Sequence, residues 1–334
     1  MTGVLSAAVA FVISLSLPLA LKPLLLKLGV LDIPNERSSH TKVVVRGMGI
    51  TVAVGVLGGL LTAVLTGAAA DGVAIIATVA GVCAAASVLG WLEDFRGVAI
   101  SVRFLLQLGI GATGTAIIVV LTDTSWLWIP VGALAIAGYI NVANFMDGVN
   151  GISGLHGLVV GLLFSVAGMM SSLDWLMVSG LVVAVAFAAF LPWNLSGSNF
   201  LGDVGSYLLG ASLAVLGAAG FLSGVQPEYL LGPVTIYLAD TMSTLLRRIS
   251  AGERWYAAHR QHVYQRLTDA GLSHVQSALL VAACSLLTGL CGLVAAASNV
   301  PGKASALLVC AAVVLFYLRS PRIFGRRAAD AATG

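Results

Sequence analysis

Apolar residues run through this chain in long blocks, and polar residues gather in the gaps between them. A helix needs about 20 mostly apolar residues to cross the hydrocarbon core of a bilayer. Blocks of that size predict eleven spans, at 3–21, 48–70, 73–92, 103–121, 126–146, 154–170, 174–193, 203–223, 229–245, 275–297 and 302–318. No long polar segment interrupts them. The expectation is an all-α fold: a polytopic integral membrane helical bundle of about eleven transmembrane helices, forming a single transmembrane domain over 1–334. No tandem repeat is visible, which argues against a transporter built from repeated halves.

Composition agrees with the pattern. Only 9% of residues are charged and 59% are hydrophobic, whereas soluble domains carry about 25% charged residues. The 39 glycines suit close helix contact in lipid. Cys83, Cys284, Cys291 and Cys310 lie inside apolar blocks with no Cys-x-x-Cys spacing. They read as small buried hydrophobes rather than disulfides or metal ligands.

Charge then orients the bundle. Eleven spans put the odd-numbered loops and the C-terminus on one side. That side holds Lys22, Lys27, Arg37, Lys42, Arg46, Arg96, Arg103, Arg247, Arg248, Arg254, Arg260, Arg266, Arg319, Arg322, Arg326 and Arg327. Of the 17 basic residues, only Lys303 falls opposite. Positive residues mark the cytoplasmic side, so the N-terminus is expected outside and the C-terminus inside. Lys22 and Lys27 follow the first block rather than precede it, unlike a cleaved signal peptide. The net charge of +3 therefore reflects flanks of membrane helices, and no nucleic-acid partner is expected. The cytoplasmic loops are 22–47, 93–103, 147–153, 194–203 and 246–274. The outer loops are short.

Acidic residues recur at the cytoplasmic ends of the spans. Glu93 and Asp94 end the third, Asp147 ends the fifth, and Asp203 opens the eighth. A carboxylate at membrane depth costs roughly 2.5–3.5 kcal/mol on insertion scales. Singly, each fits a helix cap or a turn. Together, facing a basic ninth loop, they suit a magnesium ion holding a phosphorylated substrate. Magnesium takes one or two protein carboxylates and completes its shell with phosphate oxygens and water. Gly148, Gly151, Gly202 and Gly205 let backbone N–H groups approach a diphosphate. Asn141, Asn144, Asn150, Asn194 and Asn199 add neutral donors.

The ninth loop, "RRISAGERWYAAHRQHVYQRL" (247–267), has five arginines and one acid. His259 and His262 share a face if helical, but two histidines without cysteine are too few for zinc. Trp255 and Tyr256 fit an interfacial anchor. Two readings stay open: a basic segment lying on anionic lipid, or a cationic lid whose arginine forks grip phosphate oxygens. His156, inside the sixth block, reads as a packed, hydrogen-bonded histidine.

Over residues 32–267 the chain resembles the polyprenyl-phosphate N-acetylhexosamine-1-phosphate transferases. The resemblance rests on "DIPNERSSHTKVVVRGMG", "GWLEDF", "NVANFMDGVNGISG", "NFLGDVGSYLLG" and the ninth loop. It implies a cytoplasmic active site in a bacterial inner membrane. There a sugar-1-phosphate would pass from a UDP-N-acetylhexosamine to undecaprenyl phosphate, releasing UMP. It implies magnesium, with manganese as a substitute, bound at Asp203 with Asp147. Glu93, Asp94 and Asp147 fall on the catalytic acids. Asn35, Arg37, His40, Arg46, Asn141, Asn144, Asn150, Asn194, Arg248, His259, Arg260 and His262 fall on expected substrate contacts. A homodimer is left open. Glu93 and Asn150 stand where the family usually has aspartate, and Tyr264 and Gln265 depart from its His-rich loop. Asn150 and the "HRQHVYQRL" form of the loop resemble the branch that initiates O-antigen or capsule chains. A flippase or transporter of a phosphorylated lipid would share the basic mouth, but it would need polar groups through the spans. A non-catalytic lipid-binding scaffold would not need four clustered acids.

Overall fold

The computed structural model describes residues 2–32, 44–197, 199–254 and 259–333. Asn35, Arg37, His40, Trp255 and Tyr256 lie outside the described residues. The helices are α1 (Thr2–Leu28), α2 (Gly49–Leu65), α3 (Val73–Arg96), α4 (Ile100–Leu121), α5 (Trp128–Met146) and α6 (Ile152–Met170). They continue as α7 (Asp174–Leu195), α8 (Gly202–Leu222), α9 (Pro227–Ser250), α10 (Val263–Asp269), α11 (His274–Ala297) and α12 (Val300–Thr333). A short antiparallel pair joins β1 (Leu31–Asp32) to β2 (Val44–Val45).

Every predicted block becomes one helix, because in lipid a spanning backbone must satisfy its own N–H and C=O groups. Among the described residues, nine helices are long and apolar enough to cross a membrane. Two of the eleven differ. α2 has 17 residues, the short end of the spanning range. α9 is long enough but carries Glu228, Asp240, Arg247 and Arg248. The ninth loop also contains a helix of its own, α10.

α8 is the axis of the bundle. In its most apolar stretch 78% of residues are buried, against 11% in α12. Small residues allow that centrality. A Cβ on Gly90 of α3 would run into the backbone of Asp203 and Val204, and one on Gly49 would meet Gly205. The backbones of α2 and α3 therefore touch the first turn of α8, the turn that carries Asp203. The segment after β2 runs beside the residues preceding α8. Phe200 N donates to Val45 O (2.9 Å), Met48 N to Phe200 O (3.1 Å), and Gly49 N to Leu201 O (2.8 Å).

Candidate active site

The start of α8 needs partners for its unpaired N–H groups, and α3 supplies them. Both oxygens of Asp94 accept backbone N–H groups of α8, from Asp203 (3.0 Å) and Val204 (3.0 Å). A carboxylate there also complements the positive end of the helix dipole. The side chain of Asp94 is fully buried. Gly202 turns the chain into this contact at φ +74°, in the left-handed region, and a Cβ there would lie 2.5 Å from Asp94 Oδ2.

Arg46 ties the two acids together. Its Nε lies 2.6 Å from Asp94 Oδ1, and its Nη2 donates to Asp203 Oδ2 at 2.9 Å. The other oxygen of Asp203 accepts from Asn144 Nδ2 at 2.7 Å, and Asn144 also donates to Ser206 Oγ at 3.1 Å. One hydrogen-bonded network thus joins the segment after β2, the end of α3, the end of α5 and the start of α8.

Asp147 sits three residues beyond Asn144, where α5 stops. Asp147-Gly148 breaks the helix, and Gly151, at φ +90°, opens α6. Asp147 accepts from Ser153 Oγ at 2.6 Å. Burial pushes its carboxyl up to about 7, opposed by the Ser153 bond and reinforced by the Asp203 and Asp94 carboxylates. Glu93 turns elsewhere, to Arg103 Nη1 (2.6 Å) and Val98 N (2.6 Å).

The remaining expected contacts divide. Asn141 points into the bundle and donates to Gln107 Oε1 (2.6 Å) and Ala137 O (2.8 Å). Asn194 clips the start of α6, accepting from Gly151 N and donating to Asn199 O. Asn150 lies close to Gly197. Arg248 is buried and closes its own loop, on Glu253 Oε2 (2.9 Å) and Arg254 O (2.7 Å). Arg260 pairs with Asp269 at 3.2 Å. His259 lies 4.9 Å from His262, ring to ring. Burial, with His262 and Arg248 adding to it, lowers His259 to about 4, so its ring is neutral near pH 7. His156 is buried, with Nε2 2.8 Å from the Tyr139 hydroxyl and its ring stacked on Tyr237.

Two features escape a reading of the sequence. Tyr264 reaches from α10 to donate to Phe145 O at 3.0 Å, docking the ninth loop against the end of α5 beside Asn144. Asp240, inside α9, is wholly buried and accepts from His262, Val263, Tyr264 and Tyr317. The available signal was an acid within an otherwise apolar block, which calls for a partner.

Fold and site together define a membrane-embedded enzyme. Residues 74–220 match the model of glycosyl transferase family 4, a range that contains Glu93, Asp94, Asp147 and Asp203. The chain is 30% identical, over 82% of its length and 80% of the relative's, to a probable undecaprenyl-phosphate N-acetylglucosaminyl 1-phosphate transferase of Bacillus subtilis. It is 26% identical to a decaprenyl-phosphate N-acetylglucosaminephosphotransferase of Mycobacterium tuberculosis, covering 76% of this chain and 73% of that one. An undecaprenyl-phosphate alpha-N-acetylglucosaminyl 1-phosphate transferase of Escherichia coli K12 is 24% identical, over 82% and 78%. The chain belongs to this family, the polyprenyl-phosphate sugar-1-phosphate transferases.

Proposed function

We propose that the protein transfers an N-acetylhexosamine-1-phosphate from a UDP-sugar to undecaprenyl phosphate at the cytoplasmic face of a bacterial inner membrane, releasing UMP. The lipid-diphosphate-linked sugar would be the first unit of a cell-surface polysaccharide of the O-antigen or capsule kind. UDP-N-acetylglucosamine is the first donor to test, since the relatives above are named for that sugar. The one-sided distribution of basic residues supports the orientation.

The observation that carries the reading is the Asp94–Arg46–Asp203–Asn144 network, with Asp147 beside it. Among the described residues no three metal-ligating side chains converge. The donor set nonetheless fits magnesium, which needs one or two protein carboxylates when phosphate oxygens complete its shell. Asp203 would hold the ion, with Asp147 as second ligand. There it would neutralise the donor diphosphate as a Lewis acid.

The chain's own groups do the rest. Arg46, about a third exposed, offers positive charge at the mouth between the acids. Asn144 holds the Asp203 carboxylate in one orientation. Asp94 is fully engaged with α8 and Arg46 and acts as the clamp. A phosphate monoester has its second pKa near 6, so a small fraction of the acceptor still carries a proton at pH 7. With Asp147 committed to the ion, little base is needed, because most of the acceptor is already dianionic. The dianion then attacks the sugar-bearing phosphorus in line, and the bridging P–O bond of the donor diphosphate breaks to release UMP.

Labelled UDP-N-acetylglucosamine with undecaprenyl phosphate and magnesium should yield labelled lipid and UMP, and a chelator should stop it. Asp203→Asn should cut turnover by at least about a hundredfold with an unchanged helical spectrum. Near-normal turnover in that variant would remove the metal assignment.

A further inference from the structure

Asp240 accepts more hydrogen bonds than any simple cap needs. Oδ1 accepts from Val263 N (3.0 Å) and faces His262 Nδ1 (3.0 Å). Oδ2 accepts from Tyr264 N (3.3 Å) and from the Tyr317 hydroxyl (2.7 Å). Thr244 of α9 adds a longer contact at 3.3 Å. The acid, His262 and Tyr317 are all buried. Two of the donors are the first amides of α10, so the carboxylate caps that helix from α9 while Tyr317 fastens α12 to it.

The contact with His262 has a chemical consequence as well. A carboxylate only accepts, so the imidazole nitrogen facing it carries the proton. The neutral ring is then the Nδ1–H tautomer, and its lone pair lies on Nε2. An acid that holds one nitrogen of a histidine sets both its tautomer and its orientation. The His262 ring also lies over Phe145 (6.3 Å between centroids) and beside His259. Tyr264, two residues on, is bonded to Phe145 O. The ring is therefore held at the end of α5, next to the residues that carry Asn144 and Asp147.

We propose that Asp240 is a positioning residue for sugar-1-phosphate transfer. It holds His262 as the Nδ1–H tautomer, so that Nε2 is the nitrogen offered to the phosphorylated substrates. Any proton the ring gains enters at Nε2, where it donates to a phosphate oxygen, and Asp240 balances the charge from behind. The kinetic part of this inference rests on the transfer reaction proposed above; the tautomer does not.

The test is a double-mutant cycle with a spectroscopic readout. Asp240→Asn and His262→Gln should each lower kcat by about a hundredfold, and the double variant should fall no further than His262→Gln alone, because one acts through the other. Tyr317→Phe removes a bond of the same carboxylate that does not touch the histidine. It should lower the melting temperature and leave kcat within about twofold. Nitrogen NMR of ¹⁵N-histidine-labelled protein, with His262→Gln assigning the signal, should show Nδ1 protonated in the wild type. Asp240→Asn should lose that preference. An Nε2–H tautomer in the wild type overturns the proposal even if Asp240→Asn does not fold. So does additivity in the cycle, or a kcat loss in Tyr317→Phe equal to that of Asp240→Asn. A wild type that turns over no UDP-sugar would instead defeat the reaction and leave the NMR result standing.

Discussion

Replacing Arg46 with methionine removes the cation between Asp94 and Asp203 and keeps an unbranched side chain. Two charge-assisted contacts disappear, at 2.6 and 2.9 Å. Hydrogen bonds to charged groups contribute about 1.5–3 kcal/mol each when buried. The Arg46 side chain is 36% exposed, so solvent already screens part of that. Neither acid is orphaned: Asp94 keeps two backbone amides and Asp203 keeps Asn144. What remains is repulsion between two carboxylates that lose their shared counter-ion. The expected cost is about 2 kcal/mol, below the 3–5 kcal/mol typical of breaking a fully buried pair. Cys83 and Cys284 are buried, whereas Cys291 and Cys310 are partly exposed rather than buried as their sequence context suggests, so melting can be followed with a thiol-reactive fluorophore once Cys291 and Cys310 are replaced by serine in both proteins. For a chain of 334 residues a loss of that size should lower the melting temperature by about 3 °C. A divalent cation should restore more stability to the variant than it adds to the wild type, since it can sit between the same acids. Arg46→Met melting within about 1 °C of the wild type, with and without the cation, would refute the view that this guanidinium holds the site together.

Other variants probe neighbouring parts of the network. Gly202→Ala places a Cβ 2.5 Å from Asp94 Oδ2 at a φ of +74°. The left-handed backbone alone costs roughly 1–2 kcal/mol, and displacing Asp94 adds to it; an unchanged melt would show that α8 can start elsewhere. Asp147→Asn should change how stability depends on pH. The folded carboxyl titrates at about 7 and the unfolded one near 3.9, so the folded state holds the extra proton between those values. Wild-type stability therefore falls as pH rises from about 4 to 7 and then levels off. Asp147→Asn has no such proton, so its melting temperature should drop less between pH 5 and 8; equal drops would count against the buried acid.

Hydrophobic blocks of 17–23 residues could be read directly, because spanning a membrane is a local demand on length and polarity. So could the ends at which Glu93, Asp94, Asp147 and Asp203 would lie, and the two histidines of the ninth loop. Pairing was not legible, since it joins residues far apart in the chain. Asp94 meets the start of α8 across 109 positions, and Asp240 meets Tyr317 across 77. Nothing near Arg46 announces that it will bridge two acids. Nothing near Arg248 announces that it will close its own loop on Glu253 rather than face outward.

The sequence by itself determined that this is a helical membrane protein with its acids and bases at helix ends, since burying apolar surface in lipid depends only on what each segment contains. Tertiary structure decided which of those charges are consumed holding helices together and which gather at the joined ends of α3, α5 and α8. A buried charge must find its counter-charge in space, and only the packing of α3, α5, α8 and α9 brings those partners within reach.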